Sequence, residues 1–113
     1  MLNRTRSSLM AAALLCASQA HGHQPGAYDP DVELQARKLT EHVYVVHGPQ
    51  AFPSAETRGF MNNPGFVLTE QGPVVIDPGS SVQIGDKVLE SIRRVTDKPV
   101  VAVFNTHVHG DHW

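Results

Sequence analysis

Between residues 39 and 104 the apolar positions follow two rhythms, separated by residues that favour turns. Leu39 to Val46 reads as a first strand, with Val43, Tyr44, Val45 and Val46 at its centre. His47-Gly48-Pro49 closes it. Residues 50–64 carry Pro53, Gly59, Asn62, Asn63 and Pro64 and read as a loop. Gly65-Phe66-Val67-Leu68-Thr69 predicts a second strand, Glu70-Gln71-Gly72 a turn, and Pro73-Val74-Val75-Ile76 the returning strand of a hairpin. Asp77-Pro78-Gly79 stops that strand.

The spacing then changes to a helical one. Ser80-Ser81 is a favourable N-cap, because a short hydroxyl side chain can accept from the free N–H groups of a first turn. Ile84, Val88, Leu89, Ile92 and Val95 recur on one helical face. Glu90 and Arg94 stand one turn apart as a candidate ion pair, and Arg93, Arg94 and Lys98 gather where the helix dipole favours cations. Pro99 bars continuation. Val100-Val101-Ala102-Val103-Phe104 is almost wholly apolar, which predicts a strand buried on both faces. The order is strand, hairpin, helix, buried strand: an α/β arrangement whose last part is a βαβ-like unit. Ligands of such sheets collect beyond the carboxyl ends of the strands.

The segment after the last strand is chemically dense. His107, His109, Asp111 and His112 place four potential metal ligands within six residues. His107 and His109 are two apart, so on an extended segment their rings point to one side and can share one metal. Gly110 permits a sharp turn, after which Asp111 and His112 can face a second position. Two metals about 3.5–4 Å apart would clamp an oxygen nucleophile and a substrate oxygen between them. Imidazole and carboxylate suit zinc, and also iron or manganese.

Composition adds limits. Arg4 and Arg6, the apolar run from Leu9 to Cys16 and the small residues of Ala17-Ser18-Gln19-Ala20 have the layout of a secretory signal peptide, too short to span a bilayer. Leu15 stands where a lipoprotein would need a small residue before Cys16. Residues 1–20 therefore read as a signal, 21–36 as a polar linker broken by Pro25, Gly26 and Pro30, and 37–113 as the folded part. After cleavage, seven basic residues face eleven acidic ones, a net charge of −4. That balance argues against a nucleic-acid partner, and nothing in the processed chain calls for stable membrane insertion. Cys16 is the sole cysteine, so the mature part has no disulfide and its metal ligands are His, Asp or Glu.

From Leu39 to Trp113 the chain resembles the metallo-β-lactamase superfamily. Asn105-Thr106-His107-Val108-His109-Gly110-Asp111-His112 is similar to the superfamily's Thr-His-x-His-x-Asp-His signature, and Val75-Ile76-Asp77-Pro78-Gly79 to its strand ending in Asp-x-Gly. The resemblance implies the N-terminal half of an αββα sandwich with two zinc ions per complete site. His107 and His109 would serve the first metal, Asp111 and His112 the second. Asp111 would also be the catalytic partner of the bridging water. Asp77 would lie beside the site and support it without binding metal, although an Asp before Pro-Gly also suits a turn for local reasons. His109 stands where flavodiiron proteins carry Glu, which counts against that branch. The Asp111-His112 pair resembles the glyoxalase II and subclass B3 lactamase pattern, and the stretch from Gly65–Leu68 through His107–Trp113, with Trp113 after the motif, looks most like exported zinc metallohydrolases of quinoprotein relay and sulfur-oxidation gene clusters.

The superfamily pattern also requires a further His, a bridging Asp and a last His downstream, so this chain is expected to be an N-terminal fragment whose site is incomplete by itself. The implied function is an exported, periplasmic or secreted, metal-dependent hydrolase of an ester, thioester or amide, with a small-molecule substrate. A catalytically inactive metal-binding fragment and an iron-dependent persulfide dioxygenase remain alternatives. The remaining histidines are weaker: His42 and His47 flank the first strand in a surface or capping role. His21-Gly22-His23 would form a square-planar copper or nickel site only if cleavage makes His21 the amino terminus.

Overall fold

The structure, a computed structural model, describes residues 33–113. The signal peptide, Cys16, His21, His23 and nearly all of the polar linker lie outside the described residues.

Five strands form one mixed sheet in sequential order: β1 (Ala36–Lys38), β2 (Val43–Val46), β3 (Gly65–Leu68), β4 (Pro73–Ile76) and β5 (Ala102–Phe104). The first four make an antiparallel meander, and β5 joins β4 in parallel after the helix α1 (Val82–Arg93). A single 3₁₀ turn, Gly110–His112, comes last. This is the expected α/β half-sandwich, and the β3–β4 hairpin and β4-α1-β5 unit fall where the pattern puts them. Among the described residues no helix is long and apolar enough to cross a membrane.

The core lies between α1 and one face of the sheet. Phe66 and Val75 are register partners on that face and are almost wholly buried. Tyr44 extends the row and stacks on Phe66 with ring centroids 5.0 Å apart. From the helix come Ile84, Val88 and Ile92, one turn apart and all buried. Ser81 caps α1, its hydroxyl accepting from the Ile84 N–H at 3.4 Å.

Three expectations are corrected. The predicted first strand is two strands: Leu39 and Thr40 donate backbone N–H groups to Val43 O, and Thr40 Oγ1 accepts from Val43 N–H, so residues 39–42 reverse the chain. A hydroxyl that satisfies its own turn outweighs the apolar appearance of Leu39, which is half exposed. Leu34, just before β1, is buried in the core. Second, β5 is not buried on both faces. It is the last strand in the sheet order, and Val103 and Phe104 are 53% and 62% exposed. An unbroken apolar run does not reveal whether a strand is central or at the edge. Third, Arg94 turns away from Glu90: it pairs with Glu33 at 2.6 Å and donates to Leu34 O, tying the segment before β1 to the end of α1.

The loop from 47 to 64 folds over the carboxyl end of β4. Ser54 and Thr57 cap each other's N–H groups at 3.0 and 3.1 Å, and Phe60, with no exposed surface, anchors the loop in the core. Asn62 Nδ2 donates to Asp77 O at 3.0 Å. Gly48 allows this closure, because a Cβ there would lie 2.1 Å from Asn62 O.

Candidate metal centre

Parallel pairing places the ends of β4 and β5 side by side. Ile76 and Phe104 are register partners, and the Asp77 N–H donates to Phe104 O at 2.9 Å. Asp77 and the His107–His112 motif therefore leave the sheet at the same level. Asp77 has φ 52°, a left-handed conformation that Asp tolerates better than most residues with a Cβ. Its buried carboxylate receives the Thr106 N–H on Oδ1 at 2.7 Å and the Thr106 hydroxyl on Oδ2 at 2.8 Å. Burial works to raise its pKa. The Thr106 N–H, His112 and the Thr106 hydroxyl together outweigh burial and hold the group below the usual carboxylate value.

The four predicted ligands are brought together. The His107 and His109 rings meet edge to face with centroids 4.7 Å apart, and the His107 and His112 centroids are 4.0 Å apart. His112 lies between two carboxylates, with Nδ1 2.9 Å from Asp77 Oδ2 and Nε2 3.1 Å from Asp111 Oδ2. The backbone turn that places it is closed by the His112 N–H on His109 O at 3.0 Å, and Trp113 Nε1 donates back to Val108 O. Gly110 meets no atom within 4 Å through an added Cβ and does not have a positive φ, so the expected glycine-dependent sharp turn is not what shapes this segment. His42 and His47 lie beside β2, away from the motif in the sequence of elements.

As they stand, no three of the His, Asp and Glu side chains among the described residues converge their donor atoms on one point. The donor set nonetheless fits a divalent metal in kind: three imidazoles and a carboxylate, with His112 Nδ1 buried and lacking a well-formed hydrogen bond despite its nearness to Asp77. His109, Gly110 and Asp111 line one side of a cleft of about 420 Å³, and Pro53, Gly59, Met61 and Ser80 line the other.

Sequence reasoning gave no role at the site to Thr106, Asn62 or Ser80. Thr106 carried a signal, since it directly precedes His107. The Asn62 contact depends on how the 47–64 loop closes, which no local pattern encodes. Ser80 was read only as a helix cap, yet Ser81 takes that role and the Ser80 hydroxyl is buried without a hydrogen-bond partner.

The sheet with its covering helix, and the turn rich in His and Asp beyond β5, are an α/β scaffold with polar side chains collected past its strand ends. The sequence model of the Metallo-beta-lactamase superfamily matches residues 57–113, half of the chain, and the protein belongs to that superfamily. A linear primary-alkylsulfatase of Pseudomonas sp. (strain ATCC 19151) is 43% identical over 47 residues, which are 42% of this chain and 9% of the alkylsulfatase. The matched stretch thus spans less than a tenth of that relative.

Proposed function

We propose that this chain carries the first ligands of a binuclear, zinc-dependent hydrolase of an ester, thioester or amide. The observation that carries the reading is the gathering of His107, His109, Asp111 and His112 beyond the parallel ends of β4 and β5, against a buried Asp77. His107 and His109 would hold one metal, Asp111 and His112 the other. Four donors are fewer than two tetrahedral spheres need, so further ligands complete the site in the working protein. A metal held there would lower the pKa of a water and polarise the substrate oxygen. Asp111, on the cleft wall, orients the attacking water and takes its proton at a carboxylate oxygen. Asp77 holds His112 and Thr106 in place from behind. The leader-like residues 1–20 support export to the periplasm, and the acidic balance supports a small-molecule substrate.

The likeness to an alkylsulfatase favours a sulfate ester as the first substrate to try. Consistent with an alkyl group, a second hollow of about 290 Å³ lined by Gln50, Ala51, Phe52 and Met61 adjoins the cleft, sharing Met61 with it.

The test is metal analysis with turnover of the full-length protein on a panel of carboxylic, thioester, amide and alkyl sulfate substrates. Stoichiometric zinc with hydrolysis is expected. Individual His107→Ala and Asp111→Ala changes should abolish hydrolysis while leaving the circular dichroism unchanged. Retained turnover in either variant would refute the assigned roles. Stoichiometric iron with oxygen uptake would replace the hydrolase by a dioxygenase, and metal uptake without any turnover would leave only a binding function.

A further inference from the structure

The Thr106 hydroxyl has two neighbours, Asp77 Oδ2 at 2.8 Å and His107 Nδ1 at 2.9 Å, and one hydrogen to give. An ionised carboxylate can only accept. If the hydrogen pointed at His107, two oxygens would face each other lone pair to lone pair at 2.8 Å. Asp77 also receives the Thr106 N–H on its other oxygen, so residue 106 is gripped at two points and Oγ1 has little freedom to turn elsewhere. The hydrogen therefore goes to Asp77. Towards His107 the hydroxyl can only accept, which requires a proton on Nδ1.

Resting on the binuclear metal site proposed for this chain, we infer that Thr106 is a positioning residue: its hydroxyl, oriented by Asp77, fixes neutral His107 as the Nδ1–H tautomer and leaves Nε2 as the donor lone pair. A neutral imidazole has a single lone pair, so the tautomer decides which nitrogen can bind a metal. Ligating histidines commonly have the second nitrogen held in this manner by a carboxylate, a carbonyl or water. Here the carboxylate acts through an intervening hydroxyl. The same Oδ2 lies 2.9 Å from His112 Nδ1, so Asp77 acts on His107 through Thr106 and on His112 directly. These two histidines serve different metal positions. One side chain at the end of β4 thereby sets the orientation of ligands for both.

The experiment uses the whole chain and two variants, Thr106→Val, which keeps the shape and loses the hydroxyl, and Thr106→Ser, which restores it. Nitrogen-15 spectra of the metal-free imidazoles, recorded at about pH 9, well above the usual range for a free histidine side chain, report the tautomer without any metal. The expected result is Nδ1–H at His107 in the native and Ser forms, and a shift towards Nε2–H in the Val form. Chelator competition with zinc alone should then show a loss of about 10–100-fold in affinity for Thr106→Val and near-native affinity for Thr106→Ser. An Nε2–H ring in the native chain, or an Nδ1–H ring that persists in Thr106→Val, overturns the inference. A Thr106-dependent tautomer with no zinc uptake in any form overturns the metal reading and upholds the tautomer assignment.

Discussion

Replacing Asp77 by Ala removes the carboxylate that joins the sheet to the ligand turn, and three contacts disappear with it: the Thr106 N–H at 2.7 Å, the Thr106 hydroxyl at 2.8 Å and His112 Nδ1 at 2.9 Å. A hydrogen bond to a charged group is worth about 1.5–3 kcal/mol net when both partners are shielded. Thr106 is exposed, so water replaces what it loses and its two bonds together count for about 1–2 kcal/mol. His112 Nδ1 is buried and has no other partner, which adds about 1 kcal/mol for a polar atom left alone. The φ of 52° at position 77 contributes further, since Ala tolerates it less well than Asp. The sum is a destabilisation of about 3 kcal/mol, a substantial part of the 5–15 kcal/mol typical of a folded domain.

Two companion changes separate the terms. Asp77→Gly loses the same contacts and relieves the left-handed backbone, so it should be about 1 kcal/mol milder than Asp77→Ala. Asp77→Asn keeps an acceptor for the Thr106 N–H and a side chain that accepts the same φ, and should be milder still. Urea unfolding followed by circular dichroism, with linear extrapolation to water, gives the order. Hydrogen exchange at the Thr106 amide gives the location: protection there should fall in the Ala form while amides of the β3–β4 pair keep theirs. A loss below about 1 kcal/mol for Asp77→Ala, or an Asn form as unstable as the Ala form, would refute the claim that this carboxylate anchors the turn.

Two further predictions probe the frame around the site. Gly79 has φ 123°, and a Cβ there would stand 2.6 Å from Ile84 Cγ2, which is fully buried; Gly79→Ala should lower stability by about 2–4 kcal/mol in a urea titration, whereas Gly110→Ala should stay within about 0.5 kcal/mol and keep its zinc affinity. Ile92 is 2% exposed at the centre of the α1–sheet contact, so Ile92→Ala should remove about 2–5 kcal/mol and lower the calorimetric Tm by at least about 8 °C; a smaller shift would mean that α1 packs loosely.

The parts of this protein that could be read from sequence are those decided by a short local rule. Ile84, Val88 and Ile92 recur with the period of a helix, and Glu70-Gln71-Gly72 between two apolar runs is a hairpin turn by its own chemistry. The His107–His112 motif, the proposed ligand set, was legible for the same reason, its four candidate donors falling within six residues. Features decided by contacts between distant segments escaped. Val103 and Phe104 look like core residues until the sheet order places β5 last. Arg94 has an acceptable partner in Glu90 on its own helix, yet the pair with Glu33 also brings a bond to Leu34 O, and two acceptors outweigh one exposed helical ion pair. Thr106 matters through Asp77, 29 residues earlier, and only parallel pairing of β4 with β5 makes them neighbours.

The turn that carries the proposed ligands therefore depends on residues outside that set. His107 and His109 are exposed, and the segment from Asn105 to Trp113 buries none of its side chains fully. Hydrophobic packing consequently contributes little to its placement, and the work falls to a few polar contacts: the two Thr106 bonds to Asp77, the turn from His112 to His109 and the Trp113 indole on Val108 O. Such a segment is stable only to the extent of those bonds, and a ligand that binds its ordered form would add stability in proportion to the logarithm of its concentration over Kd. Asp77 belongs to the rigid side of this arrangement, with its backbone carbonyl held by buried Asn62 and its amide paired to β5. The rigid sheet end and the exposed donors thus meet at one carboxylate, and its two oxygens transmit the position of the sheet to residues 106 and 112.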